Sequence, residues 1–317
     1  MESLDNQIVV SIRCLTYNHA PYIRQCLDGF VMQKTNFRFE AIVHDDASTD
    51  GTQDIIREYE KKYPDIIKPI YEVENQYRKG TLRAIMDNAV SESSKYIAIC
   101  EGDDYWTDPY KLQKQVDYLD GHPKCGLVWA KARCYHQETK SFKGTTGHYM
   151  SGYYDMFVNY GITPMTCMYT RSAIEGYFEF VKGQKWLLGD SPLFLYIAHD
   201  HDIHFMDEVV GVYRILKNSA SHSTSYEQNV RFKNSTFDVV KFFYEKYGHP
   251  NFKQLESIHY SYLFNYAFND GRYDTAQEVY RQIPYPNIKI RLKRIIASNG
   301  LMRNIYSFLY HKYKACR

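Results

Sequence analysis

The feature that most constrains this chain is an alternation, between residues 7 and 130, of short β-branched apolar runs with stretches of helical spacing. "QIVVSIRCLTYN" has the length and composition of a strand, and "HAPYIRQCLDGFVMQ" then places Tyr22, Cys26 and Phe30 on one helical face. "FRFEAIVHDD" predicts a second strand, and "STDGTQDIIREYEKKYP" a helix with Asp50 at its N-cap, Gln53 in capping-box position and Pro64 closing it. "IIKPIYEV" predicts a third strand, "TLRAIMDNAVSES" a helix and "KYIAIC" a buried fourth strand. Strands that alternate with helices predict a mostly parallel sheet covered on both faces, the α/β class.

In such a sheet ligands bind beyond the carboxyl ends of the strands. Tyr17 and Asn18, Asp45 and Asp46, and the run Glu101 to Asp104 each follow a predicted strand, so three separate segments converge on one edge. Carboxylates as close as Glu101, Asp103 and Asp104 repel one another unless a cation lies between them. Hard oxygen ligands at the end of a rigid element suit Mg²⁺ or Mn²⁺, which keeps waters and shares substrate phosphates. An acidic loop with Asp108 capping the helix that starts near Pro109 is the plainer alternative.

Length and composition set the outer bounds. The chain has 317 residues, 44% of them hydrophobic, enough for one large domain and a smaller appendage. A net charge of +2 gives no global field that would favour nucleic acid. Seven scattered cysteines without a Cys-x-x-Cys pair argue against a disulfide framework and a zinc site and favour a reducing, cytoplasmic setting. The start lacks a secretory pattern, and no apolar run reaches the ~20 residues of a membrane span. The 31 tyrosines are read mainly as packing and interface surface.

Further along, "PYKLQKQVDYLDGHP" predicts a helix and "CGLVWAKARCYH" a strand, while residues 137 to 165 read as loops. "WLLGDSPLFLYIAHD" is helical after Asp190, "IHFMDEVVGVYRI" is one long strand or a pair, and the chain is helical from about residue 228. The Asp-Gly in "YLFNYAFNDGRYDTAQEVYRQI" predicts a helical hairpin. The division expected is a catalytic domain over 1–227 and a helical region over 228–317.

Several motifs are excluded. "HDDASTDGT" begins like a calcium loop, but Arg57 stands where the bidentate glutamate belongs. No Gly-x-Gly-x-x-Gly, no phosphate loop and no His-Glu-x-x-His occurs. "HDHDIH" reads as a solvated turn.

The segments "VVSIRCLTYNHAPYIRQCLDGFVMQ", "FEAIVHDDASTDGTQDII", "YIAICEGDDYWTDPYKLQKQV" and "WLLGDSPLF" followed by "VVGVYRI" resemble, in order and approximate spacing, a bacterial family 2 glycosyltransferase of the GT-A fold. The resemblance covers roughly residues 7 to 225. It implies that Thr16, Tyr17, Asn18, Asp45, Asp46, Arg83 and Asp103 surround the donor nucleotide, with Tyr17 against the base, Asp46 accepting from it and Asp103 near the ribose. It implies further that Asp104 meets the metal and diphosphate, Mn²⁺ or Mg²⁺ being the cofactor, with His222 as a second metal contact. Glu101, which replaces an aspartate, joins Trp106 and Trp186 as candidates for the sugar or acceptor subsite, although core packing is an equal reading of either tryptophan. Asp190 matches the family's acidic motif with Gly189 in place of its acidic neighbour, and is the candidate general base; it also suits an N-cap.

The activity this implies is an inverting, metal-dependent transfer of a sugar, with a UDP-sugar as expected donor, to a hydroxyl of a glycan or lipid-linked acceptor in surface polysaccharide synthesis. The rivals are a nucleotidyltransferase on a similar sheet, which would want a Gly-rich basic loop after the first strand, and a non-catalytic protein that binds sugar nucleotides or glycans. Residues 289–317 hold eight basic residues and no acid among spaced apolar residues. That pattern fits either peripheral contact with the anionic inner face of the plasma membrane or a terminal helix packed on the domain.

Overall fold

β1 (Ile8–Thr16) is the centre of a parallel array, with β2 (Arg38–Asp45) on one side and β4 (Tyr96–Ile99) on the other, and β3 (Ile67–Tyr71) outside β2. The computed structural model describes residues 7–79, 85, 89–217, 225–249 and 251–306. The apolar runs form strands because both faces are covered: Val10, Ile12 and Cys14 of β1 and Ala41 and Val43 of β2 lie in one core. Helix α1 (Ile23–Val31) adds Ile23, Cys26, Leu27 and Phe30 to that core at helical spacing. Helix α2 (Thr52–Lys62) adds Ile56 and Tyr59.

Beyond β4 the sheet turns mixed. β5 (Tyr105–Trp106), helix α3 (Lys111–Gly121), β6 (Cys125–His136), β7 (Ser141–Thr146), β8 (Met168–Thr170), helix α4 (Asp190–Asp200) and β9 (Asp202–Ile215) follow in the chain. The strand order is β3-β2-β1-β4-β8-β6-β9-β5, with β7 on β6. β8 runs antiparallel to β4 and β6, β9 parallel to β6, and β5 antiparallel to β9.

Two local expectations change. The stretch 137–165 contains β7 and a one-turn helix, Tyr153–Met156, while of the two readings of 202–215 the single long strand holds. The cap of α2 is Gly51, whose φ of 97° frees Asp50 to accept from Thr52 instead, and Gln53 reaches Asp45, so no capping box forms. The helix expected over 81–93 lies largely outside the described residues.

The chain divides into two compact units, Met1–Lys182 with Leu193–Leu216, and Gly183–Pro192 with Lys217–Arg317. The division thus falls at 216/217, and the segment Gly183–Pro192, which includes the first residues of α4, groups with the second unit. That unit contains α5 (Tyr226–Tyr247), α6 (Phe252–Asn269), α7 (Tyr273–Tyr280) and α8 (Ile288–Ser298). α6 and α7 form the expected hairpin, with Gly271 in the left-handed region at the turn (φ 77°). Phe264, Ala267, Phe268, Ala276 and Ile283 pack with Ile290 and Ala297 of α8 in one core. α8, capped by Asn287 Oδ1 accepting from Ile290 N at 3.0 Å, buries Ile290 and Ala297 and leaves Ile288, Leu292 and Ile295 exposed. Among the described residues no helix is long and apolar enough to cross a membrane.

Candidate active site

Three chain segments meet where β1, β2 and β4 end, all within the first unit. After β1, Asn18 adopts φ 54°, which its short polar side chain tolerates; its amide donates to Ser48 Oγ at 2.8 Å and its Oδ1 accepts from Thr49 N at 2.9 Å. The turn after β1 is thereby tied to the turn after β2. Tyr17, 41% exposed, stands on the rim.

After β2, Asp45 Oδ1 accepts from Ser48 N at 2.9 Å and from Gln53 Nε2 at 2.7 Å, while its Oδ2 is buried without a partner among the described residues. Asp46 is otherwise engaged. Its two oxygens accept from the backbone amides of Gln76 and Tyr77, at 2.5 and 3.2 Å, and so fasten the turn of helix over Gln76–Lys79. Each Asp46 oxygen accepts a single bond and keeps acceptor capacity, whereas Asp45 is fully buried.

After β4, Gly102 N donates to Leu15 O at 2.9 Å, which brings the acidic loop against the end of β1. A Cβ at Gly102 would stand 2.7 Å from Thr16 Oγ1 and 3.0 Å from His19 Nδ1, so only glycine fits. Asp104, expected at the metal, is 3% exposed and turned inward, with Oδ1 accepting from Arg214 N at 2.7 Å. Burial, then Asp103 and Glu101, raise its pKa well above the usual carboxylate range against the pull of Arg214. Glu101 and Asp103 are half-buried at the edge.

Arg214 at the end of β9 is the residue that sequence reasoning passed over, although it sits in the quoted "VVGVYRI". Its guanidinium donates to Asp103 O at 2.8 Å, Gln137 Oε1 at 2.8 Å and Gln25 Oε1 at 2.7 Å, and lies 4.7 Å from the Tyr22 ring centre. His19 was missed too. Burial lowers its pKa, while Asp103, Asp50 and Asp45 oppose that shift. His19 Nδ1, Thr16 Oγ1 and Asp45 Oδ2 are all buried polar atoms without a hydrogen-bond partner among the described residues. Buried polar atoms are rarely left so, and three along one sheet edge mark a surface shaped for a polar ligand.

The remaining candidates separate. Trp106 belongs to the core: 2% exposed, it meets Phe30 edge-on at 5.0 Å and donates from Nε1 to Met165 O at 2.7 Å. Trp186 packs edge-on against Phe242 at 5.2 Å in the second unit. Asp190 opens α4 and groups with the second unit; burial raises its pKa although the Ser191 amide donates to its carboxylate. Arg83 and His222 lie outside the described residues.

Among the described residues no group of three or more His, Cys, Asp or Glu side chains meets in ligating geometry. The donor set still fits Mn²⁺ or Mg²⁺, because such a cation can take one or two carboxylates, here Glu101 and Asp103, and fill its sphere with water and substrate oxygens.

A mostly parallel sheet whose strand ends gather carboxylates in this way defines a transferase of nucleotide-diphosphate sugars on the GT-A fold. The chain belongs to glycosyl transferase family 2, whose family model matches residues 11–178. An uncharacterized protein of Mycobacterium tuberculosis is 44% identical over 129 residues, 41% of this chain and 36% of that protein. A putative teichuronic acid biosynthesis glycosyltransferase of Bacillus subtilis is 32% identical over 111 residues, 35% of this chain and 42% of that protein. The alignments thus span less than half the length of these curated relatives. Among solved structures, the mannosyltransferase PcManGT of Pyrobaculum calidifontis, in complex with GDP-Man and Mn²⁺, has a TM-score of 0.56 and 18% identity over 94% of this chain and 86% of that one. S. aureus TarS 1-349 in complex with UDP-GlcNAc has a TM-score of 0.52 and 14% identity over 96% and 92%. Both likenesses concern the fold.

Proposed function

We propose that this protein is a metal-dependent glycosyltransferase that moves a sugar from a nucleoside-diphosphate sugar to a hydroxyl of a glycan or lipid-linked acceptor, with inversion, in surface polysaccharide synthesis. The observation that carries this reading is three buried polar atoms without a partner among the described residues, Thr16 Oγ1, His19 Nδ1 and Asp45 Oδ2, at the strand ends that also carry the half-buried carboxylates Glu101 and Asp103. Tyr17 on the rim offers a face to the nucleotide base and Asp46 an acceptor for its N–H. Asn18 holds the two turns that carry them.

Glu101 and Asp103 would hold the divalent cation, Mn²⁺ or Mg²⁺. When bound, that ion neutralises the charge that develops on the departing diphosphate. Asp104 sets the loop through Arg214 rather than ligating. Asp190, with a raised pKa, is the group to take the acceptor proton, a role worth ~10²–10⁴-fold in rate. The solved neighbours are complexes with UDP-GlcNAc and GDP-Man, so both bases belong in a test, with a UDP-sugar the first choice.

A nucleotidyltransferase is disfavoured because the turn after β1 is Thr16-Tyr17-Asn18-His19, without a glycine-rich basic loop. A non-catalytic binder would have no use for an acid whose pKa is held up, such as Asp190. The test is release of nucleoside diphosphate from UDP-, GDP- and dTDP-sugars with Mn²⁺, with Mg²⁺ and with chelator. Metal-dependent release from one donor, lost in Asp103→Ala, is expected. Failure of every donor to turn over or to shift the melting temperature would end the reading.

The exposed row Ile288, Leu292 and Ile295 on basic α8 supports peripheral contact with an anionic membrane as part of the same proposal. Equal binding of the full chain and of a variant lacking 289–317 to anionic liposomes would remove that part alone.

A further inference from the structure

The second unit carries a groove of about 330 Å³ between α6 and the loop over residues 281–287. From the geometry of this groove we infer a binding site for an uncharged, hydroxyl-rich saccharide. On α6 the groove takes Gln254, Ser261 and Asn265, with Ile258 and Tyr262, positions that recur at helical spacing and so form one stripe. Tyr285 and Asn287 form the facing wall. None of the lining side chains is charged, in a chain where 24% of residues are.

The walls are fixed by bonds that engage Ser257, Asn265 and the side-chain oxygen of Asn287 and leave the other lining side chains unbonded among the described residues. Ser257 Oγ donates to Tyr285 O at 2.9 Å and accepts from Tyr285 N at 3.2 Å, which ties the loop to α6. Asn265 Nδ2 donates to Ser261 O at 2.8 Å, and Asn265 Oδ1 accepts from Lys293 Nζ at 2.7 Å, so that ammonium is already directed to a wall residue. Asn287 Oδ1 caps α8.

The Gln254 amide, Ser261 Oγ, the Tyr262 and Tyr285 hydroxyls and Asn287 Nδ2 then remain without a partner among the described residues. Each can donate, and the amide oxygen and the hydroxyls can also accept, which matches the mixed donor and acceptor character of sugar hydroxyls. Tyr262 and Tyr285, 47% and 59% exposed, add broad apolar bodies on which the C–H face of a sugar ring can lie. Lys233 Nζ lies 4.2 Å from the Tyr262 ring centre and steadies that ring. The volume falls within the range of about 300–1,000 Å³ typical of ligand sites. A phosphate or carboxylate would find no free counter-charge in the lining.

The role of the groove, though not its binding, rests on the glycosyltransferase reading. A saccharide chain held on the second unit stays at high effective concentration for the same molecule's chemistry. Saturation-transfer NMR on the full chain, with chitotriose, cellotriose and mannotriose as neutral probes and UDP and GDP as donor-site reporters, tests the proposal. Transfer to at least one trisaccharide is expected, with affinity reduced about tenfold or more by Tyr285→Ala. Ser261→Arg, which fills the groove and brings in a charge, should do the same, and nucleotide signals should be unchanged in both variants. No transfer to any trisaccharide, or binding undiminished in both variants, overturns the saccharide site. The nucleotide signals report separately on the donor-site reading.

Discussion

The backbone amide of Arg214 donates to Asp104 Oδ1 at 2.7 Å, across 110 residues of sequence. The guanidinium of the same residue donates to the carbonyl of Asp103 at 2.8 Å. Main chain and side chain of Arg214 therefore grip consecutive residues of the acidic loop, and the grip decides which carboxylates face outward. Asp104 turns in and Glu101 and Asp103 stay at the edge. The loop's repulsion is relieved in part from within the protein, by a cation that the acidic motif itself does not contain.

Asp104→Asn keeps an acceptor for the Arg214 amide and removes a buried charge, whereas Asp104→Ala leaves that amide unsatisfied. Alanine should cost about 1–3 kcal/mol of stability. The pH dependence has a definite sign. With the folded pKa raised above the unfolded value, the folded state holds the extra proton, so stability falls as pH rises through that window and the penalty is full above it. The asparagine variant should gain on wild type as pH climbs above 4. Urea denaturation at pH 4 and pH 8 checks this, and a wild type that gains on Asp104→Asn over the same range would be incompatible with it.

Gly102→Ala should cripple the donor edge while the fold persists. The added Cβ would meet Thr16 Oγ1 at 2.7 Å at the end of β1, and the loop must back away from Leu15 O. An overpacking cost of about 1–3 kcal/mol is expected. Nucleotide affinity measured calorimetrically should drop by about tenfold or more for a shift of that size. Unchanged affinity would mean that this approach of the two loops has no part in donor binding.

The parallel half of the sheet was legible because strands buried on both faces must be apolar throughout, as "IVVSIRCLT" and "YIAI" are, and because acids clustered at their ends. The direction of each acid was not legible. Asp45 and Asp46 look alike in sequence, and only the amides of Gln76 and Tyr77, distant in the chain, distinguish them. Arg214 was hidden for the same reason: nothing in "VVGVYRI" reveals that β9 pairs with β5 and so delivers a guanidinium to the acidic loop. For Trp106 the sequence left a sugar platform and core packing as equal readings, and a two-residue strand places it in the core against Phe30. β8 has only three residues, and β7 is exposed along most of its length, so neither carries an apolar pattern that would announce it.

Beneath the acidic loop lies Lys111, fully buried, with Nζ 2.8 Å from Gln115 Oε1 and 4.1 Å from the Trp106 ring centre. Burial pulls its amine down to about 7, against the opposing pull of Cys100, Cys167 and Asp108. Between that value and 10.5 the unfolded chain holds the extra proton, so stability contributed by this site rises with pH. Relative to Lys111→Met, wild type should gain roughly 2 kcal/mol between pH 7 and pH 9. Parallel stability profiles for the two proteins would show that the amine stays charged in the fold.

Asp190→Asn separates chemistry from binding. If Asp190 takes the acceptor proton, its neutral isostere should lower transfer by ~10²–10⁴-fold while leaving donor affinity within about twofold. The asparagine keeps an oxygen for the Ser191 amide at the start of α4, so the helix end should survive. Because burial raises the Asp190 pKa, the wild-type kcat/KM should fall on the acid side at a pH above that of an ordinary carboxylate, and the residual activity of Asp190→Asn should lack that limb. Measurement of kcat/KM against pH, beside donor titrations of both proteins, tests the two statements together. A parallel loss of donor affinity, or an acid limb that persists in the variant, would move the general base to another residue.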